Sequence, residues 1–392
     1  MRNTGVVARG IVTPIFKKGD NIIELICASL LESAGQNGYT LNDGDIVGVT
    51  EAVVGRVQGN YAKLKDISKD VRAKFGGGSL GIVFPILSRN RFASVLEGIA
   101  GGCDKLYIQL SYPCDEVGNQ LVNILTCDEK GVNPNIDNFT EEQFRSIFGA
   151  NTVHRFTGVD YIEYYKKIGG NCEIVFSNDP AYILNYTKNI LCCDIHTRRR
   201  TQTLISKAGA EKCLCLDDIL NKPVGGSGFS EYGLLGSNKA TDDSVKLFPR
   251  DTQELVETLQ AELKKRTGSI LEVMVYGDGC FKDPVGGIWE LADPVVSPAF
   301  TKGLSGTPNE LKIKYVADND YADLSGDALN ESIRERIRNK DANLVGSAES
   351  GGTTPRRIHD LVGSLCDLVS GSGDRGTPIV LVQNYFKNYA SD

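Results

Sequence analysis

The sequence predicts a soluble chain in which helices and strands alternate, and three observations carry that expectation. Residues 20 to 34, DNIIELICASLLESA, repeat their apolar positions at helical spacing. The runs IVGVTEAVV and ILEVMVYG are rich in β-branched residues, which suit a pleated, half-buried surface. A hydrophobic share of 41% beside 24% charged residues is that of a globular protein with a core to bury. At 392 residues there is chain for two or three domains. No apolar run approaches the ~20 residues that a membrane span requires. The N-terminus lacks the apolar core and small-residue cleavage site of an export signal, so a cytoplasmic protein without a membrane partner is expected. The net charge of -7 argues against a nucleic-acid partner, since such binding rests on a basic surface. Arg198, Arg199 and Arg200 read as a solvated turn.

Taken in order, the first helix over 20 to 34 has Asp20 or Asn21 to cap it and Glu24 close by. The turn NDGD at 42 to 45 then leads into a strand, IVGVTEAVV, expected to end at Gly55-Arg56. Helix and strand signals alternate up to about residue 126. Residues 127–225 are rich in aromatic and polar residues (FTEEQFRSIF, VDYIEYYKKI) and read as a helix-rich insertion, which gives expected domains of 1–126, 127–225 and 226–392. Its flank, NKPVGGSGFSEYG, has linker composition. The segment DTQELVETLQAELKKRTG is a helix with Asp251 at its start, Lys264, Lys265 and Arg266 in its last turn, and Gly268 as its stop. A strand, ILEVMVYGDGCF, runs into a polar turn at Gly277-Asp278-Gly279. Asp283, Glu290 and Asp293 follow in a loop-rich stretch around the single tryptophan. The acidic stretch YVADNDYADLSGD and the glycine-rich GSAESGGTTPRR lead to a last helix, RIHDLVGSLCDLV, and a last strand, PIVLVQNY.

Between that helix and strand lies the loop Ser370-Gly371-Ser372-Gly373-Asp374-Arg375-Gly376-Thr377-Pro378. Its glycines let successive backbone N–H groups converge on an anion, and Arg375 adds a planar, permanently charged donor. Gly371, Gly373 and Gly376 satisfy G-x-G-x-x-G, but the dinucleotide fingerprint requires strand, loop, helix, and the order here is reversed. A second match at Gly76, Gly78 and Gly81 also precedes a strand-like run, so a Rossmann reading of these motifs is rejected. No Gly-Lys dipeptide occurs, which excludes a Walker A loop. Eleven cysteines, scattered rather than framed, read as reduced thiols. Cys192, Cys193, His196, Cys213 and Cys215 gather soft ligands for zinc, but without a C-x-x-C or finger spacing they read as buried structural residues.

Three segments stand in order along the chain: TPIFKKGD at 13 to 20, DGDIVGVTEAVVGRVQG at 43 to 59, and SGSGDRGTP at 370 to 378 with its flanking helix and strand. Together they resemble the coenzyme F-420 gamma-glutamyl ligase family. GLLGSNKATDDSVKLFP at 233 to 249 and the helix, strand and GDGCF unit resemble the family's central region. The resemblance implies an α+β fold, a gamma-glutamyl ligase-like mixed arrangement in which two chains intertwine as a homodimer. It implies a ligase that joins L-glutamate to a small-molecule acceptor, a coenzyme F-420 precursor or a folate, with GTP or ATP as co-substrate and Mg or Mn as metal.

By the same resemblance Arg56, where relatives carry lysine, and Asp278 are the catalytic residues. Thr13, Pro14, Ile15, Phe16, Glu51, Ala52, Arg56, Asn238 and Ser370, Gly371, Ser372, Gly373, Asp374, Arg375, Gly376 and Thr377 line the nucleotide. Two departures bear on the metal. The family's first metal aspartate aligns near Leu235, which cannot ligate, and its loop ligand aligns with Ser372. Asp278 is then the expected metal ligand, with Glu290 and Asp293, or Asp115, rebuilding the site. The alternative is a ligase-like protein that has lost catalysis and binds a nucleotide as a sensor.

Overall fold

A computed structural model describes residues 4–89, 91–149, 152–154, 157–277, 296–351, 356–370 and 374–391. The chain divides into two compact units, one from residues 1–57 and 251–392, the other from 58–250. The first unit opens with β1 (Val7–Ile11), α1 (Ile22–Asn37), β2 (Ile46–Thr50) and α2 (Glu51–Gln58). The second unit runs β3 (Tyr61–Lys63), α3 (Leu64–Phe75), β4 (Ser79–Val83), α4 (Phe92–Ala100), β5 (Lys105–Leu110), α5 (Ile124–Glu129), β6 (Phe139–Thr140), α6 (Glu141–Phe148) and α7 (Tyr161–Gly169). It continues with β7 (Cys172–Phe176), β8 (Asn189–Cys192), α8 (Arg198–Lys207), β9 (Lys212–Cys215), β10 (Asn238–Lys239) and β11 (Ser244–Lys246). The first unit is completed by α9 (Thr252–Thr267), β12 (Glu272–Gly277), β13 (Val296–Phe300), α10 (Ile313–Asn319), α11 (Gly326–Arg338), α12 (Ile358–Ser370) and β14 (Ile379–Gln383). This mixture of helices with antiparallel and parallel pairing is the expected α+β class.

The first unit is built on one sheet in the order β1-β14-β2-β12-β13. β2 lies parallel to β12 and antiparallel to β14. Alternation along the strands supplies two apolar faces. Val47, Val49, Val273 and Val275 meet Ile26 and Leu30 of α1 and Val256, Leu259 and Leu263 of α9. Ile46, Met274, Val380 and Val382 meet Val362 and Cys366 of α12. Both faces are covered, so β14 reads as an unbroken apolar run rather than an alternating one. Gly48 is what lets α12 close on the sheet: a Cβ there would lie 2.6 Å from the Cys366 Sγ. Asn21 caps α1 by accepting from the Glu24 N–H at 3.2 Å, and Gly38 ends it in the left-handed region.

One expectation is corrected here. The strand at 46 does not run to Gly55; it stops at Thr50 and the chain turns at once into α2. Valines at 53, 54 and 57 fit helical spacing as well as strand spacing, and burial of Val54 in the core decides for the helix. The acidic stretch after residue 313 also folds, as α10 and α11 around Leu311, Val316, Ile333, Ile337 and Leu344.

The second unit carries a six-stranded sheet in the order β6-β7-β5-β4-β8-β9, parallel throughout except for β6. Numbered among themselves, the parallel strands stand in the order 3-2-1-4-5 of a doubly wound sheet. The middle of the chain is therefore richer in strand than the helix-rich insertion read from its composition. β4 and β5 pair with β7 and β8, and this pairing draws the start of the unit from 127 back to 58. Gly76 caps α3 at φ +81 ahead of β4, Gly78 directly precedes that strand, and Gly81 lies within it. The two ends of the unit are clasped: Gln58 Nε2 donates to the Arg250 carbonyl at 2.6 Å, and the Arg250 N–H donates to Gln58 Oε1 at 3.1 Å. No described helix is long and apolar enough to cross a membrane.

Candidate active site

The first unit holds a cleft of about 360 Å³. Its walls are the loop after β1 (Thr13, Pro14, Ile15, Phe16), the β2–α2 junction (Thr50, Ala52, Val53, Arg56), the last turn of α12 (Asp367, Ser370) and the segment Arg375 to Pro378. The structure thus brings together most of the residues expected to line a nucleotide, from stretches that lie far apart in the chain.

Backbone and side-chain bonds fix each wall. The Thr13 N–H donates to the Gly376 carbonyl at 3.2 Å, and the Thr50 N–H donates to the Pro378 carbonyl at 3.0 Å. Thr377 Oγ1 donates to the Ser370 carbonyl at 2.9 Å, tying the loop to the helix it follows. Gly10 makes room for this, since a Cβ there would come within 2.9 Å of the Thr377 Cβ. Phe16 is buried and anchors the first loop in the core, while Ile15 beside it is exposed. Arg56 Nε donates to the Phe16 carbonyl at 2.6 Å. That bond orients the guanidinium and leaves both terminal nitrogens free to donate to a ligand. Arg375 Nη1 makes only a long bond, 3.4 Å, to the Val369 carbonyl.

Arg56, Arg375 and the first turn of α2 line the cleft together, a combination that attracts phosphate through guanidinium donors and the helix dipole. Asp367, which sequence reasoning missed, lines it as well, and Arg375 reaches the same end of α12 at the Val369 carbonyl. An acid in the last turn of a helix, where the dipole favours cations, was the signal that could have found it. Thr50, Val53 and Pro378 were also missed, because they come from the ends of regular elements. Tyr276, fully buried at the end of β12, adjoins this region. Burial pushes its phenol well above the usual range, with the negative charge of Asp367 adding to the effect.

The remaining expected residues fall elsewhere. Glu51 opens α2 but is buried, with its Cγ against Gly277; a Cβ on that glycine would lie 2.1 Å away. Asn238 belongs to the second unit, in β10. Asp374 is exposed and is not among the residues lining the cleft. Asp278, Glu290, Asp293, Gly371, Ser372 and Gly373 lie outside the described residues. Leu235 is buried in the second unit. Asp115 proves to be a clamp: its carboxylate accepts from the N–H groups of Leu87, Val117 and Asn119 and from Asn119 Nδ2.

Cys192 and Cys215 lie in the apolar core of the second unit's sheet and Cys213 packs against it, with the Cys192 and Cys213 sulfurs 3.6 Å apart; Cys193 is buried. Among the described residues the one group of three metal-type atoms within 4.8 Å is Cys215, Asp217 and Asp218. Asp217 is held by Arg199 at 2.5 Å and by Arg198 at 3.3 Å, so its charge is already compensated.

A search of curated proteins finds no match to this chain. The family model for F420-0:Gamma-glutamyl ligase matches residues 10–384, nearly the whole length and all four walls of the cleft. The chain therefore belongs to the F420-0:gamma-glutamyl ligase family and is an enzyme that forms an amide bond with glutamate.

Proposed function

We propose that this enzyme joins L-glutamate to a carboxylate acceptor, the coenzyme F-420 precursor or a folate, with GTP or ATP supplying the driving phosphoryl group. The observation that carries the reading is the cleft of the first unit, which sets two guanidiniums and a helix N-terminus around a space that takes a phosphate chain. A carboxylate does not react with an amine unaided. Transfer of the γ-phosphoryl group gives an acyl phosphate, and the amino group of glutamate attacks its carbonyl carbon. Arg56 and Arg375 hold phosphate oxygens in line and offset their charge.

Mg²⁺ or Mn²⁺ fits the carboxylate oxygens of Asp278, Glu290 and Asp293. Asp278 directly follows Gly277, against which the buried Glu51 is packed. When bound, such a cation neutralises phosphate charge. Asp374 is kept as a nucleotide contact in this reading, and an intertwined homodimer acting in the cytoplasm belongs to it.

The test is mass spectrometry of one reaction holding the full chain, glutamate, GTP, ATP, Mg²⁺, Mn²⁺, the deazaflavin precursor and reduced folates. A glutamyl mass increment on one acceptor is expected. No increment, with nucleotide retained on the protein, moves the reading to a nucleotide sensor, which Leu235 at an expected aspartate position favours.

A further inference from the structure

We propose that the second unit carries a binding site for an acidic α-amino acid, set between α4, α7 and the β10–β11 hairpin. The inference is read from that unit alone and does not rest on the phosphoryl-transfer reading above.

A cleft of about 160 Å³ opens there. It is smaller than the ~300–1,000 Å³ pockets that take drug-sized ligands, so its occupant is a small molecule. Helical spacing builds two of its walls. Ser94 and Glu97 share one face of α4, and Tyr164 and Ile168 share one face of α7. Arg89 comes from the loop before α4, and Lys239 and Asp242 come from the hairpin.

The charged side chains give the cleft its chemistry. Arg89 is exposed and bonds no other described residue, and Glu97 is exposed with its carboxylate in no ion pair among the described residues. Lys239 is held by Asp242 at 2.9 Å, but that carboxylate is fully exposed, and a pair so placed contributes little. The Asp242 carboxylate keeps the Lys239 ammonium above its usual range, and the charge of Glu97 adds to this, so the three groups share one local field. Ser94 Oγ is out of solvent and makes no hydrogen bond, a desolvated polar group that goes uncompensated until a ligand atom meets it.

An acidic α-amino acid presents the inverse of this set, two carboxylates and one ammonium. The Arg89 fork suits the α-carboxylate, Glu97 accepts from the ammonium, and Lys239 exchanges Asp242 for the side-chain carboxylate. The methylenes lie against Tyr164 and Ile168. Glu97 also repels a phosphate ester or a dicarboxylate that brings no ammonium, so it selects as well as binds. Glutamate, which this enzyme family joins in amide linkage, is the first probe.

The experiment is calorimetric titration of the full chain with L-glutamate, L-aspartate and glutarate, which keeps both carboxylates of glutamate and lacks its ammonium. One of the two amino acids is expected to bind at least about tenfold tighter than glutarate. Glu97→Gln should erase that preference, bringing the two affinities within about threefold, a change that a merely structural role would not produce. Arg89→Met should weaken amino-acid binding about tenfold or more. Both residues are exposed, so the variants should melt with the unmutated protein, which serves as the control for folding. Absence of binding heat with either amino acid up to about 10 mM overturns the proposal, as does equal affinity for glutamate and glutarate, or binding that both variants leave unchanged. A protein that makes no amide product yet binds in this way keeps the assignment and loses the ligase reading.

Discussion

Arg56 shows how one side chain can be both anchored and available. Its Nε is used on the Phe16 carbonyl, its body is exposed, and its two terminal nitrogens bond no other described residue. Arg56→Ala should therefore raise the KM for GTP by about 10- to 100-fold, the worth of a charge-assisted hydrogen bond or two, with a drop of only a few degrees in melting temperature for the lost bond to the Phe16 carbonyl. Steady-state kinetics beside a thermal melt checks both halves. Arg56→Lys restores the residue that relatives carry and keeps the charge, but gives up the planar fork that lets Nε hold the Phe16 carbonyl while the terminal nitrogens point elsewhere. Gly277 poses the opposite case, a residue that acts by having no side chain. In Gly277→Ala the new Cβ meets the Glu51 Cγ at 2.1 Å, and the buried acid must move. The expected cost is about 1–3 kcal/mol in a denaturant melt, together with lower turnover, because the displaced group adjoins the chain entering Asp278.

At the level of elements, the cleft depends on β1 and the loop before β14 lying close together. Gly10→Val would drive a branched side chain into Thr377, 2.9 Å from where its Cβ must sit, and push the loop off the strand. We expect a destabilisation of about 1–3 kcal/mol and weaker nucleotide affinity, measured by thermal melt and by titration with GTP. The elements that frame this arrangement were legible in the sequence for identifiable reasons. α1 and α9 carry helical periodicity and end at Gly38 and Gly268, and α12 and β14 flank a loop whose glycines break both. α2 was not legible, because a valine-rich run satisfies strand and helix alike and only the packing of Val54 chooses between them. The parallel sheet was not legible either. Strand pairing over more than a hundred residues, as between β4 and β8, leaves no local period, and strands buried on both faces read merely as short apolar runs. Of the cleft itself, the two loops could be read from their resemblance to a family, whereas Asp367 and Thr50 sit at the ends of regular elements and were not.

At the scale of the whole molecule, the second unit answers pH differently from what net charge alone suggests. In the second unit the Glu116 carboxylate accepts from the N–H groups of Ile195 and His196, clipping the loop after β5 to the loop after β8. Burial, with the charges of Asp194 and Asp115 nearby, pushes it up to about 7. The folded form thus holds this proton more tightly than the unfolded chain does. Its contribution is complete below the usual glutamate range and is lost as pH rises through about 7. The melting temperature should fall between about pH 5 and about pH 8, and Glu116→Gln should flatten that slope by a few degrees. Asp194 and Asp115, also raised by burial, keep part of it. A melt series across pH decides the matter. The strand order of the first unit carries a consequence for time. β1 and β2 do not touch; β14, which follows every other strand in the chain, is inserted between them, and β12 flanks β2 on its other edge. While the chain is being synthesised, residues 58–250 can close on themselves as soon as Arg250 reaches Gln58. The N-terminal strands must meanwhile wait with bare edges. The nascent enzyme is a finished insert carried by an open frame, and its candidate cleft comes into being only when the last strand arrives.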